Sequence, residues 1–250
     1  MTLPRRALLR QALGLGGAAL AAGGLGAAPA AAAGAADRTL RQALSACRPA
    51  GDPLEGLLAG NRRFAAAWAA SSGADRTATD RSQAMAALWP GTCQLDPGAL
   101  AQGQRPWAAV LACADARVAP EWVFDVGPGE LFEVRSAGNT AFDAGIASLE
   151  YAVAELAVPL IVVMGHQGCG AVTAARSDTT LTPLLQALVA PIRASLVPGD
   201  DLGQAVQRNA RQTARLLGER SELLRRAVAA RQLAIQPVHF DLATGLITLI

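Results

Sequence analysis

The chain has 250 residues, 52% of them apolar and 17% charged, with 22 Lys+Arg against 20 Asp+Glu and a formal charge of +2. All 22 basic residues are arginine, which excludes a lysine nucleophile, a Schiff base and a phosphate-loop lysine; histidine occurs only at His166 and His239, which excludes a histidine-rich metal site. This is neither a disordered polyampholyte nor a nucleic-acid-binding tail, and the length suits one α/β domain of about 200 residues with an appendage, or two small domains. Alanine, at 57 residues, raises the apolar fraction without supplying bulky core.

The appendage is N-terminal. The first 36 residues hold Arg5, Arg6 and Arg10 and no acid, and from Gln11 to Ala36 there is no charge at all. A basic start, a mild apolar stretch and small residues at 30–33 have the layout of a cleaved export signal; a retained anchor is the alternative, since ~20 apolar residues can span a bilayer. The order Pro4-Arg5-Arg6-Ala7-Leu8-Leu9-Arg10 resembles the twin-arginine export signal, which implies a periplasmic or secreted protein. Beyond residue 36, 19 arginines face 20 acids, so the mature part carries −1 and the basicity belongs to the leader. The twin-arginine route moves folded proteins, commonly with a cofactor already loaded. Empty thiolate ligands would oxidise outside the cytoplasm, so a metal site is worth seeking.

Asp52-Pro53 predicts a helix, with an acid as N-cap and proline in the first turn, running through Leu57, Leu58, Phe64 and Trp68. The Ser/Gly/Thr/Asp stretch 71–80 predicts a surface loop, and Asp96-Pro97 a short helix ending before Pro106. Residues 107–112 are a short apolar run and predict a buried strand. Residues 130–135 alternate after the turn Gly127-Pro128-Gly129 and predict a second strand. Phe142, Ile146, Leu149, Val153 and Leu156 recur at three- and four-residue steps and predict a helix over 140–157. Residues 159–164 form the clearest buried strand, which Gly165 is predicted to end. Helices follow at 181–196, 202–217 and 222–233, then strands at 233–240 and 246–250 around a turn at 241–245. The alternation predicts an α/β fold over residues 37–250: a central, mostly parallel sheet flanked by helices, with an antiparallel C-terminal edge hairpin.

Two cysteine-bearing segments each follow a predicted strand: Cys113-Ala114-Asp115-Ala116-Arg117-Val118 and Gly165-His166-Gln167-Gly168-Cys169-Gly170. Ligands of parallel α/β sheets bind beyond the carboxyl ends of strands, so the two can converge although distant in sequence. Cys113, His166 and Cys169 are the soft ligands zinc prefers, and three of them leave a fourth position open for catalysis. Buried small hydrophobes are the other reading of such cysteines. Cys47 and Cys93 are either buried thiols or, in an oxidising compartment, a disulfide. Arg135 reads as a structural strand residue and His239 as a partly exposed sheet residue.

C-x-D-x-R at Cys113 followed by G-H-x-x-C-G at Gly165 resembles the beta-class carbonic anhydrases. Gly127-Pro128-Gly129-Glu130-Leu131-Phe132, Arg135 and Ala137-Gly138-Asn139 are similar to that family's middle segment, Gly60-Asn61-Arg62-Arg63-Phe64 to its N-terminal helix, and residues 241–245 to its closing hairpin. Alanines at 114 and 116, where serines are common, are modest departures that remove no ligand. The resemblance implies one zinc per chain on Cys113, His166 and Cys169, and reversible hydration of carbon dioxide to bicarbonate through zinc-bound hydroxide. Two thiolates cancel the charge of zinc, so activity is expected to rise towards alkaline pH. The resemblance also makes Asp115 and Arg117 the catalytic pair, where their spacing by itself reads equally as an ordinary surface ion pair worth ~0–1 kcal/mol. The aspartate either accepts a hydrogen bond from the zinc-bound water or closes the site as fourth ligand, and Arg117 holds it off the metal. By the same resemblance Gln104, Val118, Phe124, Tyr151 and Gly170 correspond to the substrate pocket, partly lent by a neighbouring subunit in a homodimer or larger assembly; by residue type alone Gln104, Val118, Phe124 and Tyr151 read equally as core or interface packing. Val110 stands where one subset of the family has the tryptophan of a regulatory bicarbonate site, which argues against that site here.

Two rival readings accompany this one. The same scaffold could hydrolyse carbon disulfide or carbonyl sulfide, or the chain could be a non-catalytic zinc-binding regulator. Retention of Asp115 and Arg117 argues against the second. Nucleic acid is not an expected partner, nor is a membrane once the leader is removed.

Overall fold

The structure, a computed structural model, describes residues 30–89 and 93–250. Arg5, Arg6, Arg10 and the uncharged run up to residue 29 lie outside the described residues.

Helix α1 (Ala30–Leu44) opens the described chain. Helix α2 (Pro53–Ser71) begins where predicted: the Asp52 side chain accepts the Leu54 N–H at 2.9 Å, and Pro53 sits in the first turn, where no amide is needed. The predicted loop at 71–80 is shorter than expected. At Thr77 a capping box, with Thr77 and Asp80 exchanging side-chain and backbone hydrogen bonds, starts α3 (Ala78–Met85). That helix buries no side chain fully, so no apolar period announces it. Helix α4 (Pro97–Leu100) is capped by Asp96.

Strand β1 (Ala108–Cys113), helix α5 (Pro120–Val123), strand β2 (Leu131–Ser136), helix α6 (Asp143–Ala154) and strand β3 (Leu160–His166) form the central alternation. Helices α7 (Gly170–Arg176), α8 (Pro183–Arg193), α9 (Leu202–Arg220) and α10 (Glu222–Ala229) follow, then strands β4 (Ala234–Phe240) and β5 (Ile247–Leu249). The sheet order is β2-β1-β3-β4-β5, parallel throughout except for the β4–β5 edge. Helices α5 and α7 were not expected; each is a short helix that follows directly on a strand exit and its turn.

Side-chain alternation gives the sheet two buried faces. Val110, Val162, Met164 and Phe240 face α2 and α5 with Leu57, Phe64 and Phe124. Leu111, Ile161 and Val163 face the other side with Leu149, Leu217 and Leu224. Burying each such side chain stabilises the fold by about 1.5–3 kcal/mol. Strand β3 does not end at Gly165 as predicted but runs on to His166. Gly165 is there because α9 crosses close: a Cβ would lie 3.0 Å from Val206 Cγ1 and 3.3 Å from Ala210 Cβ.

Asn61 of α2 ties the closing hairpin to the body. Its amide donates to the Val123 and Gly245 carbonyls at 3.1 and 2.9 Å and accepts the Ile247 N–H at 2.8 Å. Cys47 and Cys93, whose pairing stood open in the sequence, form a disulfide with Cα atoms 5.1 Å apart. Among the described residues no helix is long and apolar enough to cross a membrane.

Candidate metal centre and active site

Parallel pairing of β1 and β3 delivers two strand exits to the same edge of the sheet. Strand β1 ends in Cys113, and the chain turns at once because Asp115 Oδ1 accepts the Arg117 N–H at 2.9 Å. Strand β3 ends in His166; Gly168 then turns the chain with φ +66°, and Cys169 stands at the N-terminus of α7. The Cys113, His166 and Cys169 ligand atoms all lie within 4.8 Å of one another, and all three residues are buried.

The two sulfurs are 3.9 Å apart. A tetrahedral zinc with Zn–S bonds of about 2.3 Å requires about 3.8 Å between them. His166 Nδ1 lies 3.0 Å from the Gln167 carbonyl, so Nδ1 carries the proton and Nε2 presents its lone pair. That Nε2 is buried with no hydrogen-bond partner. An orphaned buried polar nitrogen costs about 1–3 kcal/mol unless something else takes its lone pair, as a metal would. The donor set therefore fits zinc in chemistry, tautomer and spacing.

The charges agree with that. The neighbouring Cys169 thiol, next the nearby His166 ring and then the Gly138 N–H at 3.2 Å hold the Cys113 thiol far below its ordinary value against the opposing effect of burial. Cys113 in turn, and next burial, push the Cys169 thiol up. Asp115 sits well below the usual carboxylate range, chiefly because Arg117 donates Nε to Oδ1 at 2.9 Å and Nη2 to Oδ2 at 2.7 Å. Its Oδ2 is 3.9 Å from His166 Nε2. Arg117 Nη2 also reaches the Gly168 carbonyl at 3.3 Å, linking the two cysteine-bearing turns.

Arg135 proves structural, as read, and its task is specific. From the end of β2 it donates to the carbonyls of Cys113, Asp115 and Val118 at 3.1, 2.9 and 2.6 Å, bracing the whole turn that carries the Asp–Arg pair. The profile of the carbonic anhydrase family matches residues 108–247, from the start of β1 to the start of β5.

The chain belongs to the carbonic anhydrase family.

Carbonic anhydrase 2 of Mycobacterium tuberculosis is 39% identical over 155 residues, 58% of this chain and 75% of that one. Among solved structures, a tetrameric beta-carbonic anhydrase of Sordaria macrospora aligns with TM-score 0.54 and 28% identity, covering 60% of this chain and 83% of its own. A beta-carbonic anhydrase of Aspergillus fumigatus aligns with TM-score 0.56 and 25% identity, over 61% and 79%. The enzyme is thus a beta-class carbonic anhydrase, and hydration of carbon dioxide is the activity that membership carries.

The residues assigned to the pocket of this carbonic anhydrase separate into two groups. Val118 is buried directly after Arg117, Phe124 is buried at the end of α5, and Gly170 opens α7 with nothing within 4 Å of where a Cβ would stand. Gln104 is exposed in the loop before β1, and Tyr151 on α6 is exposed with its ring against Phe132, 6.3 Å between centroids. Both lie towards the entry ends of the strands, whereas the Cys–His–Cys group is at their exits. A six-residue strand spans about 20 Å, so one chain does not bring them to its own metal group. His239 on β4 is half-buried, and burial lowers its pKa. Two residues around the site escaped the sequence reading: Gly138, quoted there only as part of a motif, and Asn209. A lone asparagine inside an Arg-rich amphipathic helix gives no signal of what it faces.

Proposed function

We propose that the chain catalyses zinc-dependent, reversible hydration of carbon dioxide, with one zinc held by Cys113, His166 and Cys169 and gated by Asp115 and Arg117. The observation that carries this is the buried Cys–His–Cys group whose one free imidazole nitrogen faces a carboxylate held by an arginine fork. Zinc, when bound, supplies Lewis acidity that makes a nucleophile from water near neutral pH.

The chain's residues do the rest. Two thiolates balance the charge of the ion, which supports the expectation of activity rising with pH. Asp115 is a permanent anion at working pH, and its Oδ2 is placed to accept a hydrogen bond from the nucleophile and orient its lone pair towards carbon dioxide. Arg117 occupies both carboxylate oxygens, so Asp115 acts as an acceptor and not as a ligand while the fork holds. Val118 and Phe124 supply apolar surface for a substrate with little to hydrogen-bond. Gln104 and Tyr151 complete the pocket from a second copy of the chain. Their position at the far end of the strands supports a dimer as the smallest active unit.

Stopped-flow carbon dioxide hydration on the zinc-quantified protein tests the reading. Cys113→Ser should lose both metal and activity, while Asp115→Ala keeps most of the metal and loses most of the activity. Full activity in metal-free protein would end the proposal. Carbonyl sulfide and carbon disulfide, assayed alongside, should turn over far more slowly than carbon dioxide.

The reading includes export, with residues 1–36 as a twin-arginine-type leader. The Cys47–Cys93 disulfide supports it, since such bonds persist in oxidising compartments. A reporter fused to residues 1–36 should appear outside the cytoplasm; a cytosolic reporter would refute it.

A further inference from the structure

We propose that Asn209 is a positioning residue of the metal centre, which holds Gly138 so that the Gly138 amide donates its hydrogen to the Cys113 sulfur. The inference rests on the zinc reading above. Asn209 is on α9, buried to 2%, and is neither one of the three ligands nor part of the Asp–Arg pair. Its Nδ2 donates to the Gly138 carbonyl at 2.7 Å. A carbonyl partner dictates that the amide nitrogen, and not its oxygen, faces Gly138. Gly138 in turn donates its N–H to Cys113 Sγ at 3.2 Å. The two polar groups of one residue are therefore fastened at opposite ends, one by the helix and one by the ligand.

Gly138 needs such a tether. It has φ +81°, and a Cβ there would stand 2.6 Å from Ile192 Cδ1 and 3.0 Å from Ala171 Cβ. Close packing there admits only glycine, whose wide φ/ψ range leaves the direction of its amide to be set by hydrogen bonds. The adjoining turn is fixed by the Asn139 N–H on the Ser136 carbonyl at 3.1 Å, and that carbonyl also takes the Ala114 N–H beyond β1. Asn209 supplies the missing restraint on Gly138 itself. An N–H held on a thiolate withdraws electron density from sulfur and stabilises its anion in a buried setting; partners of this kind orient metal ligands and tune them.

The test uses cobalt(II) in place of zinc in the full chain, because thiolate-to-cobalt charge-transfer absorption reports the energy of the sulfur lone pair. Asn209→Leu keeps the volume and removes the donor; Asn209→Ala removes it with a smaller side chain. Both should shift the charge-transfer band to longer wavelength, and chelator competition should show zinc affinity lowered about 10- to 100-fold. A purely structural Asn209 would lower thermal stability and leave band and affinity at wild-type values, and a folded variant behaving so overturns the proposal. Should Asn209→Leu fail to fold, Asn209→Ala decides. A wild-type protein that shows no thiolate-to-cobalt band would instead overturn the zinc reading, and this inference with it.

Discussion

At Glu133 local preference and environment disagree. It stands on β2, half-buried, with Oε1 buried and unpartnered. Burial, and next the neighbouring Glu121 carboxyl, push its pKa up to about 8, against a smaller opposing pull from Arg135. A carboxyl whose folded pKa is raised binds its proton more tightly in the native state than in the unfolded one. Its contribution is therefore fully present below the unfolded value near 4.5 and is lost as pH rises through about 8. Glu133→Gln, which mimics the protonated group, should match wild type in urea midpoint near pH 5 and exceed it at about pH 9. Equal midpoints at both pH values would show that Glu133 does not titrate this way. Nothing in an alternating strand sequence marks such a residue, because the neighbour that raises its pKa comes from α5. Cys113, His166 and Cys169 were legible at this scale as candidate ligands by residue type, while the Asp115–Arg117 pair stood out only through the family resemblance.

At the scale of elements, the helices and strands with apolar periods were predictable and those without were not. Strands β1 and β3 are buried on both faces and read as short unbroken apolar runs. Helix α3 depends on its capping box, and α5 and α7 on the strand exits they follow, so tertiary position decides them. Asn61 and the Cys47–Cys93 disulfide join elements that have no sequence relation to each other. The bridge closes a loop with a sequence separation of 46 residues. The chain-entropy estimate for such a loop is about 4 kcal/mol of stabilisation, acting on the unfolded state. It fastens the segment after α3 whose Trp89 N–H caps Asp125 Oδ1 at 3.0 Å, at the end of α5.

For the whole molecule, the parallel sheet is what makes a site from two distant motifs, and it also separates Gln104 and Tyr151 from that site. If the pocket is shared between two copies, two defective variants should complement each other. Cys113→Ser lacks a metal site but carries Gln104, while Gln104→Ala has the metal site but lends its partner nothing. Co-expressed, about half of the dimers would be mixed, each with one intact site, giving about a quarter of wild-type activity above the Gln104→Ala background. No gain over the separately expressed variants would show that each chain completes its own pocket.

The sequence by itself determined the α/β class, the order of the main elements, the candidate donor residues and the excess of basic residues in the first 36 positions. These follow from periodicity, residue type and charge, which are local properties of a chain. Only the tertiary structure decided that the two sulfurs stand 3.9 Å apart, that His166 Nε2 is left without a partner, and that Arg135, Gly138 and Asn209 hold the centre in place. It also decided the pairing of Cys47 with Cys93. Each of these depends on which strand lies beside which and how closely α9 crosses the sheet, and distances between remote parts of a chain are not encoded in any one stretch of it.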